Sequence, residues 1–241
     1  MKKLLKNLLD WLASIGCLGL FWRIFGNGLK YIVDKLNGVV VFYSVTGKPE
    51  VFSLIRAIKA ENKMLLDNNE AYQLFMAVDI TAKVEGDIAE VGSYMGGSAK
   101  LICEAKRDKT LHLFDTFEGL PDLSRWDDPS QFQKGNFVSS FDFVSAYLKS
   151  YPNVYLYKGL FPLTATPIAH TKFSFVHIDV DLYEATKASL EFFYPRMTKG
   201  GIIISHDYDE HGVRKAFDDF FATQPEPVIE MSGCQCLIVK V

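Results

Sequence analysis

From Gly86 onward, short apolar runs alternate with longer segments whose apolar residues recur at helical spacing. Strand-like runs occupy 87–91, 110–115, 153–157, 173–179 and 201–206, and a last pair falls near 227–231 and 235–241. Helix-spaced segments lie between them, at about 97–107, 137–150, 182–194 and 210–222. Short continuous apolar strands separated by helices predict a mostly parallel α/β sheet of Rossmann-like form, with helices on both faces. The last two runs leave no room for a crossover helix, so an antiparallel C-terminal strand is expected. Upstream, 49–82 reads as two helices broken near Asp67-Asn68-Asn69, and Gly38–Ser44 is strand-like. Residues 1–45 are therefore set apart as an N-terminal helical, amphipathic appendage, and 46–241 as the main domain.

The run Ile88-Ala-Glu90 leads into Val91-Gly92-Ser93-Tyr94-Met95-Gly96-Gly97-Ser98, where small residues open a helix. The next run, Leu111-His-Leu-Phe-Asp115, also ends in an acid. Two carboxylate-tipped strands joined by a glycine-rich loop and a helix form half of a nucleoside site, with Asp115 where a ribose offers its hydroxyls. A dinucleotide fingerprint wants G-x-G-x-x-G, so that a pyrophosphate rests on bare helix amides. Here the order is Glu90-x-Gly92-x-x-x-Gly96. An acid before the first glycine repels a pyrophosphate but accepts hydrogen bonds from an ammonium group or a loop amide. The nucleoside with a cationic amino-acid tail is S-adenosylmethionine.

Two further strand ends carry polar clusters. In Phe173-Ser-Phe-Val-His-Ile-Asp179-Val-Asp181-Leu-Tyr-Glu184, Asp179 ends a buried strand and is expected to face the cavity. Asp181 and Glu184 read as a helix N-cap with its supporting acid, a structural role. The run Gly200-Gly-Ile-Ile-Ile-Ser205-His206-Asp207-Tyr208 ends beside it. A divalent cation held by Asp179 and Asp207 would grip a diol and lower a hydroxyl pKa. His206 is a third ligand, a general base or a partner orienting Asp207, or else simply satisfies a loop carbonyl. Carboxylates alone favour Mg²⁺, and an imidazole tilts the choice toward Mn²⁺ or another transition ion. The aperiodic segment Pro121–Asn136 is expected to form a lid.

Composition narrows the setting. The 241 residues are nearly half apolar with a net charge of −3, a globular chain with no electrostatic pull on nucleic acid. The cysteines, Cys17, Cys103, Cys234 and Cys236, lack disulfide-framework or zinc spacing and fit buried thiols in a reducing cytoplasm. At the N-terminus, Lys2, Lys3 and Lys6 accompany leucines at helical spacing, and the uncharged stretch Trp11–Trp22 is too short to span a bilayer. Residues 1–25 are expected to lie peripherally at the inner face of a membrane, or to dock on their own domain or on a second subunit of a homo-oligomer.

In order, Glu90-Val-Gly-Ser-Tyr-Met-Gly-Gly-Ser98, Phe114-Asp-Thr-Phe-Glu-Gly-Leu-Pro121, Lys158-Gly-Leu-Phe161, Ile178-Asp-Val-Asp-Leu-Tyr-Glu184 and Gly200-Gly201 with His206-Asp207-Tyr208 resemble the macrocin/mycinamicin-type sugar O-methyltransferases. These are class I S-adenosylmethionine-dependent enzymes, and the resemblance spans roughly 50–230. It implies methyl transfer to a small-molecule hydroxyl, usually on a sugar, with Mg²⁺ assistance. It assigns Glu90, Gly92, Ser93, Tyr94, Gly96 and Ser98 to the methionine part of the cofactor. Asp115 falls to the ribose, Thr116 beside it is a further cofactor contact, and Phe117, Lys158 and Gly159 lie near the adenosine. Asp179 is implied as metal ligand and base, and Asp207 as a further ligand. Family members generally show Asp-Asp-Tyr where this chain has His206-Asp207-Tyr208, which weakens attraction for a hard cation.

Two other readings stay open at this point. One is a methyltransferase-fold protein with little or no activity, acting as a membrane-associated partner subunit. The other is a different nucleoside-dependent enzyme such as a dehydrogenase, disfavoured by Glu90 and the missing third glycine.

Overall fold

The structure, a computed structural model, describes residues 48–61 and 64–241. The expectations for residues 1–45 lie outside the described residues. By its internal contacts the chain divides into Met1–Gly47 and Lys48–Val241, and the described residues all belong to the second unit.

Two helices come first, α1 (Pro49–Glu61) and α2 (Asn68–Ile80). The break between them is fixed by a capping box: the Asp67 carboxylate accepts the N–H groups of Asn69 and Glu70, and Glu70 accepts the Asp67 N–H. Then β1 (Asp87–Val91), α3 (Gly97–Ala105), β2 (Leu111–Asp115), α4 (Phe141–Leu148), β3 (Val154–Lys158), β4 (Phe173–Ile178) and α5 (Tyr183–Phe193) alternate. The chain ends with β5 (Met197–Ser205), α6 (His211–Phe221), β6 (Ile229–Glu230) and β7 (Cys236–Val239).

The seven strands order as β3-β2-β1-β4-β5-β7-β6. Neighbours from β3 through β5 are parallel, while β7 runs antiparallel to both β5 and β6. The expected C-terminal antiparallel strand is present. Strand alternation sends Ala89, Val91, Val176, Ile178 and Ile203 into one core with Leu190 and Phe193 of α5 and Val213 and Phe217 of α6. Ile88, Phe175 and Ile204 face the other way and are also fully buried. Burying both faces explains why these strands read as unbroken apolar runs.

Three boundaries differ from expectation. β5 begins at Met197, ahead of the glycines, because a register irregularity against β4 lets Gly200 turn at φ 82° within the strand. α4 is shorter than 137–150 because Ser140 caps it, accepting the Phe143 N–H at 3.2 Å. The Asp181 cap is not formed. Leu182 occupies the N-cap position of α5 without a side-chain bond, and buried Asp127 accepts the Tyr183 N–H at 2.8 Å instead. Among the described residues no helix is long and apolar enough to cross a membrane.

Candidate active site

The sheet order reverses between β1 and β4, so a crevice opens beyond their carboxyl ends. Main-chain bonds align the strand ends there. Gly92 N–H donates to the Phe114 carbonyl at 2.8 Å, Asp179 N–H to Val91 at 2.9 Å and His206 N–H to Ile178 at 2.9 Å. A Cβ on Gly92, whose φ is 86°, would lie 1.7 Å from the Asp179 carbonyl oxygen, so only glycine lets β1 and β4 close together here. The loop then turns through Gly96 into α3.

Asp115, at the end of β2, holds this loop. Its Oδ2 accepts the Ser93 and Tyr94 N–H groups at 2.9 and 2.8 Å, and its Oδ1 accepts the Phe117 N–H at 2.7 Å. The carboxylate is thus already engaged by the protein, with capacity left on Oδ1 for one further donor. Tyr94, Phe117, Phe137, Asp181 and Asp207 all take positive φ, between 46° and 60°. That much αL backbone in non-glycine residues concentrates strain around one crevice.

The opposite wall is acidic. Burial, opposed by the charge of His206 and reinforced by Asp207, pushes the Asp179 carboxyl up to about 6. Burial together with Asp207 and Asp179 pushes Asp181 up to about 9, so this residue belongs to the cluster rather than to a helix cap. The His206 imidazole stands among them, its Nδ1 at 2.8 Å from Asp207 Oδ1 and 3.5 Å from Asp179 Oδ1. Its Nε2 lies 3.4 Å from Glu70 Oε2 and 3.1 Å from Cys234 Sγ. Burial alone would strip its proton, but the surrounding acids outweigh burial and hold His206 far above the ordinary histidine range. The partner carboxyl of Glu70, despite its burial, is drawn down to about 2 by His206 and by the Cys234 and Asp67 amides.

Between these walls lies a cavity of about 290 Å³. Gly92, Ser93, Tyr94, Ser98, Asp115, Thr116 and Gly159 line one part of it, and Asp179, Asp181, His206 and Asp207 another. Four expected cofactor residues do not line it. Glu90 is fully buried against its cross-strand neighbour His177, with Oε1 to Nδ1 at 2.9 Å, and its Oε2 has no protein partner. Gly96 is the N-cap of α3, and Phe117 is buried edge-on to Phe141. The Lys158 ammonium reaches outward to Glu118 at 3.8 Å.

Sequence reasoning missed Asp181 and the apolar wall of Met64, Leu65 and Leu66 in the cavity, and Glu70 and Cys234 behind His206. The D-x-x-E spacing disguised Asp181, and no local signal marks Glu70, which lies 136 residues from His206. The segment Pro121–Asn136 contributes Pro121 to the cavity. It is tied down by Asp127 and by Phe132, which packs with Leu120 and Leu182.

Asp179, His206 and Asp207 bring ligand atoms close enough to share one ion. The His206 Nδ1 is buried and makes no well-formed hydrogen bond despite its short approach to Asp207. Two carboxylates and an orphaned imidazole nitrogen fit a divalent transition ion better than Mg²⁺. Such an ion would take the place of the proton on Nδ1.

Solved structures resemble this chain over most of its length. The O-methyltransferase NovP superposes with a TM-score of 0.61 at 25% identity, covering 71% of this chain and 79% of that one. The calicheamicin methyltransferase CalS11 gives 0.61 at 21%, covering 83% and 95%. Among curated relatives, the 8-demethyl-8-(2,3-dimethoxy-alpha-L-rhamnosyl)-tetracenomycin-C 4'-O-methyltransferase of Streptomyces olivaceus is 28% identical over 62% of this chain and 64% of its own. The mycinamicin III 3''-O-methyltransferase of Micromonospora griseorubida is 27% identical over 57% and 61%. The chain thus spans less than two thirds of the length of these curated relatives. The sequence model of macrocin-O-methyltransferase (TylF) matches residues 69–233, from α2 to the turn before β7. With a class I methyltransferase sheet and a family match over most of its length, the chain belongs to the macrocin-O-methyltransferase (TylF) family.

Proposed function

We propose that this chain methylates a hydroxyl of a sugar, free or carried on a larger metabolite, with S-adenosylmethionine as donor. The observation that carries the reading is one cavity walled on one side by the Asp115-held glycine loop and on the other by Asp179, Asp181 and Asp207. Relatives named for methylating rhamnosyl and mycinamicin hydroxyls support the acceptor class.

When bound, S-adenosylmethionine supplies an electrophilic methyl on a positive sulfur. Gly92, Ser93, Tyr94 and Ser98 face its methionine part, and Glu90 acts from behind them through its buried pair with His177. Oδ1 of Asp115 takes a ribose hydroxyl, and Thr116 and Gly159 border the adenosine. Phe117 acts from behind by fixing Asp115 through its N–H. The apolar walls at Met64–Leu66, Leu120–Pro121 and Phe137 exclude water and hold oxygen and methyl in line.

The acceptor proton goes to a carboxylate oxygen of Asp179. Held near 6, this group is ionised at neutral pH yet more basic than an ordinary aspartate. His206, whose proton the surrounding acids retain, is a poor acceptor, so the base role falls to Asp179 rather than to it. A divalent ion held by Asp179, His206 and Asp207 would supply Lewis acidity toward the substrate oxygen.

Asp179→Asn tests the reading on a panel of rhamnosides, with labelled-methyl transfer as the readout. Transfer should fall ~10²–10⁴-fold, while affinity for S-adenosylhomocysteine stays within about threefold. Undiminished transfer by the variant would remove Asp179 from the mechanism.

A further inference from the structure

His206 faces two ways, and its far side is the more tightly built. Glu70 comes from α2, outside the sheet, and is 5% exposed. Its Oε1 accepts the Cys234 N–H at 3.0 Å and the Cys234 thiol at 3.2 Å, and its Oε2 accepts the Asp67 N–H at 2.7 Å. A Cβ at Gly233 would stand 2.4 Å from Glu70 Oε1, so the neighbouring turn also leaves room for this carboxylate and little else. Three hydrogen bonds and the close turn at Gly233 therefore set its orientation, and it presents Oε2 to His206 Nε2. Cys234 Sγ flanks the same nitrogen.

With an ion in place of the Nδ1 proton, that arrangement sets the tautomer: Nε2 keeps its hydrogen, given to Glu70 and Cys234, and the Nδ1 lone pair is left for the ion beside Asp179 and Asp207. The separations of 2.8 and 3.5 Å from Nδ1 to those carboxylates bracket the edge of about 3 Å between adjacent ligands of one ion. An ion on the Nε2 side, among Glu70, His206 and Cys234, is disfavoured because those groups already satisfy one another.

We propose that Glu70 is the outer-sphere positioning residue of a metal-binding His206, and that this pair turns the site from Mg²⁺ toward Mn²⁺-type transition cations. The proposal rests on the cation site formed by Asp179, His206 and Asp207. A carboxylate behind a ligating imidazole fixes its ring and raises its basicity, typically changing metal affinity ~10–100-fold. Imidazole nitrogen suits Mn²⁺, Fe²⁺ or Zn²⁺, whereas Mg²⁺ prefers oxygen. Where the resemblance implies an acid, this chain has the His206 imidazole, with the buried Glu70 carboxylate behind it.

Mn²⁺ binding to the full chain, read by electron paramagnetic resonance with Mg²⁺ as competitor, tests this through a double-variant cycle. Wild type should prefer Mn²⁺, and Glu70→Gln should weaken Mn²⁺ ~10–100-fold. His206→Asp should collapse the preference by at least ~10-fold, and adding Glu70→Gln to it should cost nothing more. Equal losses from Glu70→Gln in both backgrounds would make Glu70 merely structural and overturn the proposal. Should Glu70→Gln fail to fold, the selectivity ratio of His206→Asp decides alone, and an unchanged ratio overturns it. Titrating S-adenosylhomocysteine into the same samples separates the two levels. Cofactor binding without Mn²⁺ binding defeats only this inference, and absence of both defeats the methyltransferase reading.

Discussion

Asp115 holds the glycine loop with both carboxylate oxygens, and in the proposed reading Oδ1 also takes a ribose hydroxyl. Three amides from the glycine loop and from the turn after β2 converge on it, two of them from the αL residues Tyr94 and Phe117. Asp115→Ala therefore removes a ribose acceptor and frees a strained loop in one step. Affinity for S-adenosylhomocysteine should fall by ~1.5–3 kcal/mol, with a lower melting temperature, measured by calorimetry and thermal unfolding. Unaltered affinity would put the ribose elsewhere. Ser93, Tyr94 and Asp115 were legible in the sequence because loop and acid belong to consecutive elements of one β-α-β unit. Glu90 was legible as an acid but not in its setting, since its partner His177 sits on a strand 87 residues away.

At the scale of elements, strand and helix positions followed from apolar spacing because both sheet faces are buried. What spacing could not reveal is which distant group closes an element. Asp127 accepts the Tyr183 N–H at the start of α5 and the Ser124 N–H at 2.7 Å, joining the 121–136 segment to the turn that carries Asp179 and Asp181. The local Asp181–Glu184 pattern imitates a cap and hides this longer-range one. Asp127→Ala should cost ~1–2 kcal/mol of stability, a melting shift of about 2–8 °C for a chain of this size. Transfer should slow while cofactor affinity holds, because the acid wall loosens and the glycine loop does not. A variant that melts and turns over like wild type would show that the segment is not anchored through Asp127.

Across the whole molecule, the reversal of strand order between β1 and β4 gathers the glycine loop, Asp115, Asp179 and His206 at one edge of the sheet. Far from that edge, Glu226 fastens the C-terminal end. It accepts the Tyr194 hydroxyl at 2.5 Å, the Lys240 ammonium at 2.7 Å and the Val241 N–H at 3.2 Å. Burial opposes its charge, but Lys240, Tyr194 and the Val241 amide draw its carboxyl down to about 2, below the unfolded value of 4.5. The folded chain thus binds this proton less well than the unfolded one. Its stabilisation is present above pH 4.5 and fades as pH falls toward 2. In urea unfolding, the gap between wild type and Glu226→Gln should narrow over that window, and a gap independent of pH would contradict the assignment.

The most direct measurement is a crystal structure of the full chain grown with saturating S-adenosylhomocysteine. The account predicts its ribose on Asp115 Oδ1, its amino-acid end over Gly92–Tyr94 and its sulfur facing Asp179. Electron density for the ligand elsewhere, or a crevice closed by the chain's own side chains, would contradict it.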